Sequence, residues 1–176
     1  AGAASTGIAE LMTKVLIQRG LTKEEAFSRF WLFDRKGIVS RKRKDLEEHK
    51  LPFANNDLEC NDFPEAIRII KPTAILGLST IKGAFTKEIV ELMGKLNERP
   101  IIFPCSNPTS HSECTAEEAY SWSNGKAIFA SGSPFPPVKI GGKTFFPSQG
   151  NNVYIFPAMG LAVLATKAKR VTDEMF

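Results

Sequence analysis

The sequence predicts an α/β domain of three layers around a doubly wound parallel sheet. Two features lead there. Short apolar runs bounded by polar residues recur at 30–33, 74–78, 100–103 and 127–130, as in strands buried on both faces. Helical stretches opened by capping residues separate them, so strand and helix alternate as parallel pairing with helical crossovers requires.

The chain begins with small residues, Ala1-Gly2-Ala3-Ala4-Ser5-Thr6-Gly7. Ile8, Leu11, Met12, Val15 and Leu16 follow at the i, i+3, i+4, i+7, i+8 spacing of a helix with one buried face. The small residues then stand at that helix's amino end, where free N–H groups and the positive end of the dipole suit a pyrophosphate. Glycine there lets a ligand approach the main chain, although an ordinary helix start has the same composition. Gly20 stops the helix, and Thr22 with Glu25 forms a capping box for a short second one. Phe30-Trp31-Leu32-Phe33 reads as a buried strand ending on Asp34, where a doubly wound sheet carries the acid that holds an adenosine ribose.

Asp62 and Glu65 form another capping box, Ile67 and Ile70 lie on the helix it opens, and Pro72 stops that helix ahead of the strand at 74–78. Thr86 opens a helix through Ile89, Val90, Leu92 and Met93, which leads to the strand at 100–103. Thr115 and Glu118 cap the next, Asn124-Gly125 ends it, and the strand at 127–130 follows. Pro134, Pro136, Pro137, Gly141 and Gly142 predict an irregular excursion with a hairpin over 138–146. Residues 158–165 read as a packed helix.

Composition bounds the function. With 176 residues, 43% hydrophobic and 24% charged, the chain is one soluble domain or a large piece of one. Its start at Ala1 points to a processed product or an excised piece. No apolar run is long enough to span a bilayer, and the amino end has neither the basic nor the apolar region of a signal peptide, so no membrane partner is expected. Cys60, Cys105 and Cys114 are odd in number and lack zinc-site spacing, which suits reduced thiols in an intracellular compartment. The net charge of +4 gathers at Arg35, Lys36, Arg41, Lys42, Arg43 and Lys44, followed at once by Asp45, Glu47 and Glu48. Without interleaved aromatics this run favours a solvated loop, or a site for an anionic small molecule, over a nucleic-acid surface.

Polar loops follow the predicted strands: Ser79-Thr80, Ser106-Asn107-Pro108-Thr109 and Ser131-Gly132-Ser133-Pro134. Gln149-Gly150-Asn151-Asn152 precedes the last apolar segment. Neutral hydroxyls and amides hold a carboxylate, an amide or a sugar through directional hydrogen bonds. Each loop alone reads equally as a turn, but four on one predicted edge point to a site. No His-x-x-His pair, Cys/His cluster or strand-end carboxylate pair offers a metal site, His49 and His111 read as surface residues, and no general base stands out.

Several of these motifs together resemble the NAD-binding domain of malic enzymes. They are Gly2-Ala3-Ala4-Ser5-Thr6-Gly7, the strand ending in Asp34, Gly83-Ala84-Phe85, Asn97-Glu98-Arg99-Pro100-Ile101-Ile102-Phe103, Ser106-Asn107-Pro108-Thr109, Ala130-Ser131-Gly132-Ser133-Pro134-Phe135 and Gln149-Gly150-Asn151-Asn152. The likeness runs from Ala1 almost to Phe176. It implies a Rossmann-like domain over 1–176, truncated at its first strand and its C-terminal helices. It also implies oxidative decarboxylation of malate to pyruvate and CO2 with NAD or NADP, and Mg2+ or Mn2+ as Lewis acid.

Carried over, Gly2, Ala3, Ala4, Ser5 and Thr6 line the pyrophosphate, Asp34 and Arg35 the adenosine ribose, and Ser79 the nicotinamide side. Asn107, Asn151 and Asn152 hold malate and the nicotinamide ribose. The family's tyrosine acid, lysine base and metal carboxylates lie upstream of this segment, so the segment alone is expected to be inactive. Pro104-Cys105 stands where the family has Ala-Leu, and Ser148 where it has glycine. Arg35, Lys36 and Lys50 are placed for a 2′-phosphate, and Lys36 resembles the NADP-using members, so NADP is slightly favoured. A homo-oligomer is implied, in cytosol, mitochondrion or plastid. A malolactic-type enzyme and a non-catalytic nucleotide-binding or oligomerisation module are the alternatives.

Overall fold

Helix starts are set by short side chains that accept a hydrogen bond from the first turn. Thr22, Asp62, Thr86 and Thr115 each hold extended backbone and accept the amide of the residue three positions on. The capping box is reciprocal at Thr22 and Thr115, where Glu25 and Glu118 bond back to the cap. At Asp62 only half of it forms, because Glu65 turns to Arg68.

The computed structural model describes residues 1–54, 56–172 and 175. In chain order the elements are α1 (Ala3–Gln18), α2 (Lys23–Ser28), β1 (Phe33–Asp34), β2 (Gly37–Ile38), a 3-10 turn (Glu48–Phe53), α3 (Phe63–Ile70), β3 (Ala74–Gly77) and α4 (Lys87–Leu96). There follow β4 (Ile101–Pro104), α5 (Ala116–Trp122), β5 (Ile128–Ser131), β6 (Val138–Ile140), β7 (Lys143–Phe145), β8 (Ser148–Gln149) and α6 (Phe156–Thr166). Strands β3, β4, β5 and β8 form a parallel sheet in that order, with Ala74 opposite Ile101, Ile101 opposite Ile128 and Ala130 opposite Ser148. This is the expected α/β class. Ile67, Ile75, Ile89, Met93, Ile102 and Phe129 lie in one buried cluster, so α3, α4 and α5 cover one face of the sheet. On the opposite face, Leu76 stays 40% exposed.

Three expectations are corrected. The run at 30–33 is not a member of the parallel sheet: only Phe33 and Asp34 pair, antiparallel to β2, in a two-residue ladder. The Val39 amide bonds the Leu32 carbonyl of the run at 2.8 Å, and β2 beside it is held in turn by the Ile38 amide on the Cys60 carbonyl at 2.8 Å. Second, the apolar stripe of α1 is not its buried face. Thr6, Ala9 and Thr13 face α2 and the 3-10 turn, while Ile8, Leu11, Met12 and Val15 are exposed. Small residues allow that close approach, and the buried Thr13 hydroxyl is satisfied by the Ala9 carbonyl at 2.7 Å. Third, α6 is not packed among the described residues: Leu161, Leu164 and Phe156 are exposed. Ser148–Gln149, a loop by its sequence, is the fourth strand of the sheet.

Met93 is fully buried at the centre of the larger core. Met93→Ala is therefore expected to cost about 2–5 kcal/mol of stability, measurable as a lowered urea midpoint in the full-length polypeptide.

Candidate functional site

The hairpin β1–β2 turns on Gly37, whose φ of +104° excludes most side chains and whose Cβ would stand 2.2 Å from the Cys60 carbonyl oxygen. This tight turn presents Asp34. Its carboxylate, 11% exposed, accepts from Arg43 Nη1 at 2.8 Å and from Lys50 Nζ at 3.0 Å. The Lys36 amide adds a third bond at 3.0 Å. Burial pushes the acid up, but these hydrogen bonds outweigh it and hold the carboxyl at about 2. For Lys50, burial acts downward, yet hydrogen bonds to Glu47 and Asp34 leave its pKa raised.

The glycine turn lies against this knot, the Ala1 nitrogen donating to the Phe33 carbonyl at 2.5 Å. Gly2 is the N-cap of α1 with no side-chain cap, and nothing stands within 4 Å of where its Cβ would be. The main chain at Gly2, Ala3 and Ala4 is thus open to a ligand, which fits a pyrophosphate. Ser5 Oγ accepts weakly from the Gly2 amide at 3.5 Å. Thr6 is buried and bonds the Ala3 carbonyl of its own helix at 3.1 Å, so its hydroxyl faces inward.

Of the three cations expected around a phosphate, the structure commits two. Lys50 is inside, on Asp34 and Glu47, and Lys36 Nζ lies 2.7 Å from Asp45. Arg35 is exposed, with no ion pair among the described residues. Arg43, which sequence reasoning missed inside the basic run, clamps Asp34 and Asp45 together.

The second half of the site is built at the carboxyl edge of the sheet. Ser79, Asn107 and Asn151 come together there through intermediaries. Ser79 donates through both its amide and its hydroxyl to Glu113 Oε1, each at 3.0 Å, and Ser106 Oγ donates to the same oxygen at 2.6 Å. Asn107 Oδ1 accepts from Ser133 Oγ at 2.7 Å, and Asn151 Nδ2 donates to the Gly132 carbonyl at 2.6 Å. Gln149 Nε2 reaches the same carbonyl at 3.2 Å. Asn152 opens a 3-10 turn and is exposed. Glu113 was also missed; it is wholly buried, and in sequence it is a lone acid in a Ser/Cys-rich stretch. Nearby Cys105 has its thiol pushed up by burial and by Glu113, so it is a poor nucleophile. Among the described residues no group of His, Cys, Asp and Glu is arranged to hold a metal ion, so the residues here do not form a metal site.

A parallel sheet whose carboxyl edge gathers polar loops, with an open helix start beside a half-buried acid, defines a dinucleotide-binding α/β domain. The chain belongs to the malic enzyme family: the family model described as malic enzyme, NAD binding domain, matches residues 1–176. It is 49% identical to the NADP-dependent malic enzyme of Dictyostelium discoideum, over 99% of this chain and 33% of that protein. It is 47% identical to the mitochondrial NAD-dependent malic enzyme of Ascaris suum, over 100% of this chain and 27% of that protein. To the chloroplastic NADP-dependent malic enzyme 4 of Arabidopsis thaliana the identity is 50%, over 99% and 27% respectively. The chain thus spans about a third or less of the length of these relatives.

The Asp34 knot gives stability a defined acid limb. Its carboxyl is depressed from 3.8 to about 2, so its contribution is complete above about pH 4 and is lost as pH falls toward 2. About 2 kcal/mol is at stake. Denaturation measured from pH 5 to 2 is expected to show a shallower loss in Asp34→Asn than in the wild type.

Proposed function

We propose that this chain is the dinucleotide-binding part, over 1–176, of a protein that oxidises (S)-malate at its 2-hydroxyl and decarboxylates it to pyruvate and CO2. NAD or NADP, when bound, supplies the hydride acceptor. The observation that carries the reading is the convergence of Ser79, Asn107 and Asn151 on one sheet edge in a chain of this family.

In this reading the open amides of Gly2, Ala3 and Ala4, with Ser5, receive the pyrophosphate, and Thr6 shapes the turn from within. Asp34 keeps lone-pair capacity for a ribose hydroxyl beyond its three protein bonds. Ser79 flanks the nicotinamide, while Asn107, Asn151 and Asn152 hold the malate carboxylate and the nicotinamide ribose by neutral hydrogen bonds. The acid, base and metal ligands for Mg2+ or Mn2+ belong to the remainder of the parent protein, so the segment alone does not turn over. The parent is a homo-oligomer inside the cell; relatives named mitochondrial and chloroplastic support that setting. No described helix is long and apolar enough to cross a membrane.

Uncommitted Arg35 is the group most available to a 2′-phosphate, with Lys36 able to exchange Asp45 for it, which favours NADP. Three outcomes check these assignments. The purified full-length polypeptide is expected to form NADPH from malate, and its failure to reduce either coenzyme would overturn the reading. Arg35→Ala is expected to weaken NADP binding by about tenfold while leaving NAD unchanged; equal affinity for both coenzymes in the wild type would remove the preference. Asn107→Ala and Asn151→Ala are each expected to lower kcat/KM for malate by about tenfold or more, read by steady-state kinetics at saturating coenzyme.

A further inference from the structure

Glu113 is wholly buried, yet among the described residues it makes no ion pair. Its carboxylate is satisfied by neutral donors from two loops instead. The Ser79 amide, Ser79 Oγ and Ser106 Oγ converge on Oε1, and the Ser106 amide approaches Oε2 at 3.4 Å. Ser106 Oγ in turn accepts the Thr80 amide at 2.9 Å, which locks the two loops to each other. The backbone of Glu113 adds a third segment, its carbonyl accepting the Phe85 amide at 3.0 Å. Gly77 is bare at this point because a Cβ would stand 2.4 Å from Glu113 Cδ. An apolar side chain of equal size would fill the volume and leave the donors unpaired, so packing alone does not account for an acid here.

We infer that Glu113 is a positioning residue that fixes the spacing between the Ser79 loop and the Ser106–Asn107 loop, and hence between dinucleotide and substrate. This rests on the functional reading above for what the two loops bind, but not for the linkage itself. Glu113 touches neither ligand. It acts by holding the reacting partners in register, where small displacements are costly.

The test uses the full-length polypeptide carrying Glu113→Gln. Glutamine keeps one carbonyl oxygen for the two hydroxyls but turns an N–H2 toward the Ser106 amide, a donor against a donor. The expected result is a folded protein whose kcat falls about tenfold or more while the dinucleotide Kd and the KM for malate move little. Ser79→Ala added to Glu113→Gln lowers kcat by less than it does in the wild type, because both act through one link. Hydrogen exchange is the readout independent of turnover: amides of Ser79, Thr80 and Ser106 lose protection together, while those inside β3 and β4 do not. Wild-type kcat per folded site, additive losses, or unchanged exchange in both loops would each overturn the inference. Should Glu113→Gln fail to fold, Ser79→Ala with Ser106→Ala tests the same link, and unaltered exchange at Thr80 would overturn it. If the wild type fails to oxidise malate but the exchange result holds, the functional reading falls and the linkage stands.

Discussion

Parallel pairing is the constraint on which this molecule depends. Because β3, β4, β5 and β8 run the same way, each carboxyl end opens on the same edge. The ladder runs one residue past each strand. The Cys105 amide bonds the Gly77 carbonyl at 2.8 Å, that of Gly132 bonds Pro104 at 3.2 Å, and that of Gly150 bonds Ser131 at 2.9 Å. Every polar loop therefore starts from a point fixed by its neighbour. Gly132 shows how close the approach is, since a Cβ there would stand 2.3 Å from the Cys105 carbonyl oxygen.

Two carboxylates, Asp34 half-buried and Glu113 buried, face the same problem and solve it differently. Asp34 lies against Arg43 and Lys50, so charge is balanced by charge, and the depressed pKa follows. Glu113, among the described residues, is met by neutral hydrogen-bond donors. Two more cations of the basic run are paired at the surface, Arg41 with Asp57 and Lys42 with Glu59. Exposed pairs of this kind stabilise little, but they remove cations from any broad polyanion-binding face. What looked in sequence like one positive patch is a local knot with Arg35 and Lys44 outside it.

Local chemistry was legible in the sequence, and long-range packing was not. Thr22, Thr86 and Thr115 announce their helices because a cap is a contact three residues long. The strands of the sheet were visible as apolar runs because alternate residues such as Ile75, Ile102 and Phe129 enter the core while their apolar neighbours cover the less buried face. The run at 30–33 has the same composition, but pairing depends on a neighbouring strand, and among the described residues none stands beside it in the parallel sheet. The stripe of α1 misled for a related reason: periodicity reports an apolar face, not which face these neighbours cover. For the site, Ser79, Asn107 and Asn151 could be placed on one edge from loop order alone. Glu113 could not, because a lone acid in a polar stretch has no spacing signature, and its role appears only when two distant loops close over it.

The two halves of the site are joined by packed rings. Phe33, next to Asp34, lies 4.9 Å between centroids from Phe63, and Phe63 stacks on Phe85 at 6.2 Å. Phe85 is buried, and its amide bonds Glu113. Aromatic side chains have only two rotatable bonds, so a file of three of them spans a gap at small entropic cost. In the proposed function, a dinucleotide has one end at Asp34 and the other at the polar edge, which calls for a constant separation between them. A ladder hydrogen bond cannot supply that spacing here, because β1 does not join the parallel sheet. The rings do so instead, seating Phe63 at the first turn of α3 between the hairpin that presents Asp34 and the buried residue that contacts Glu113.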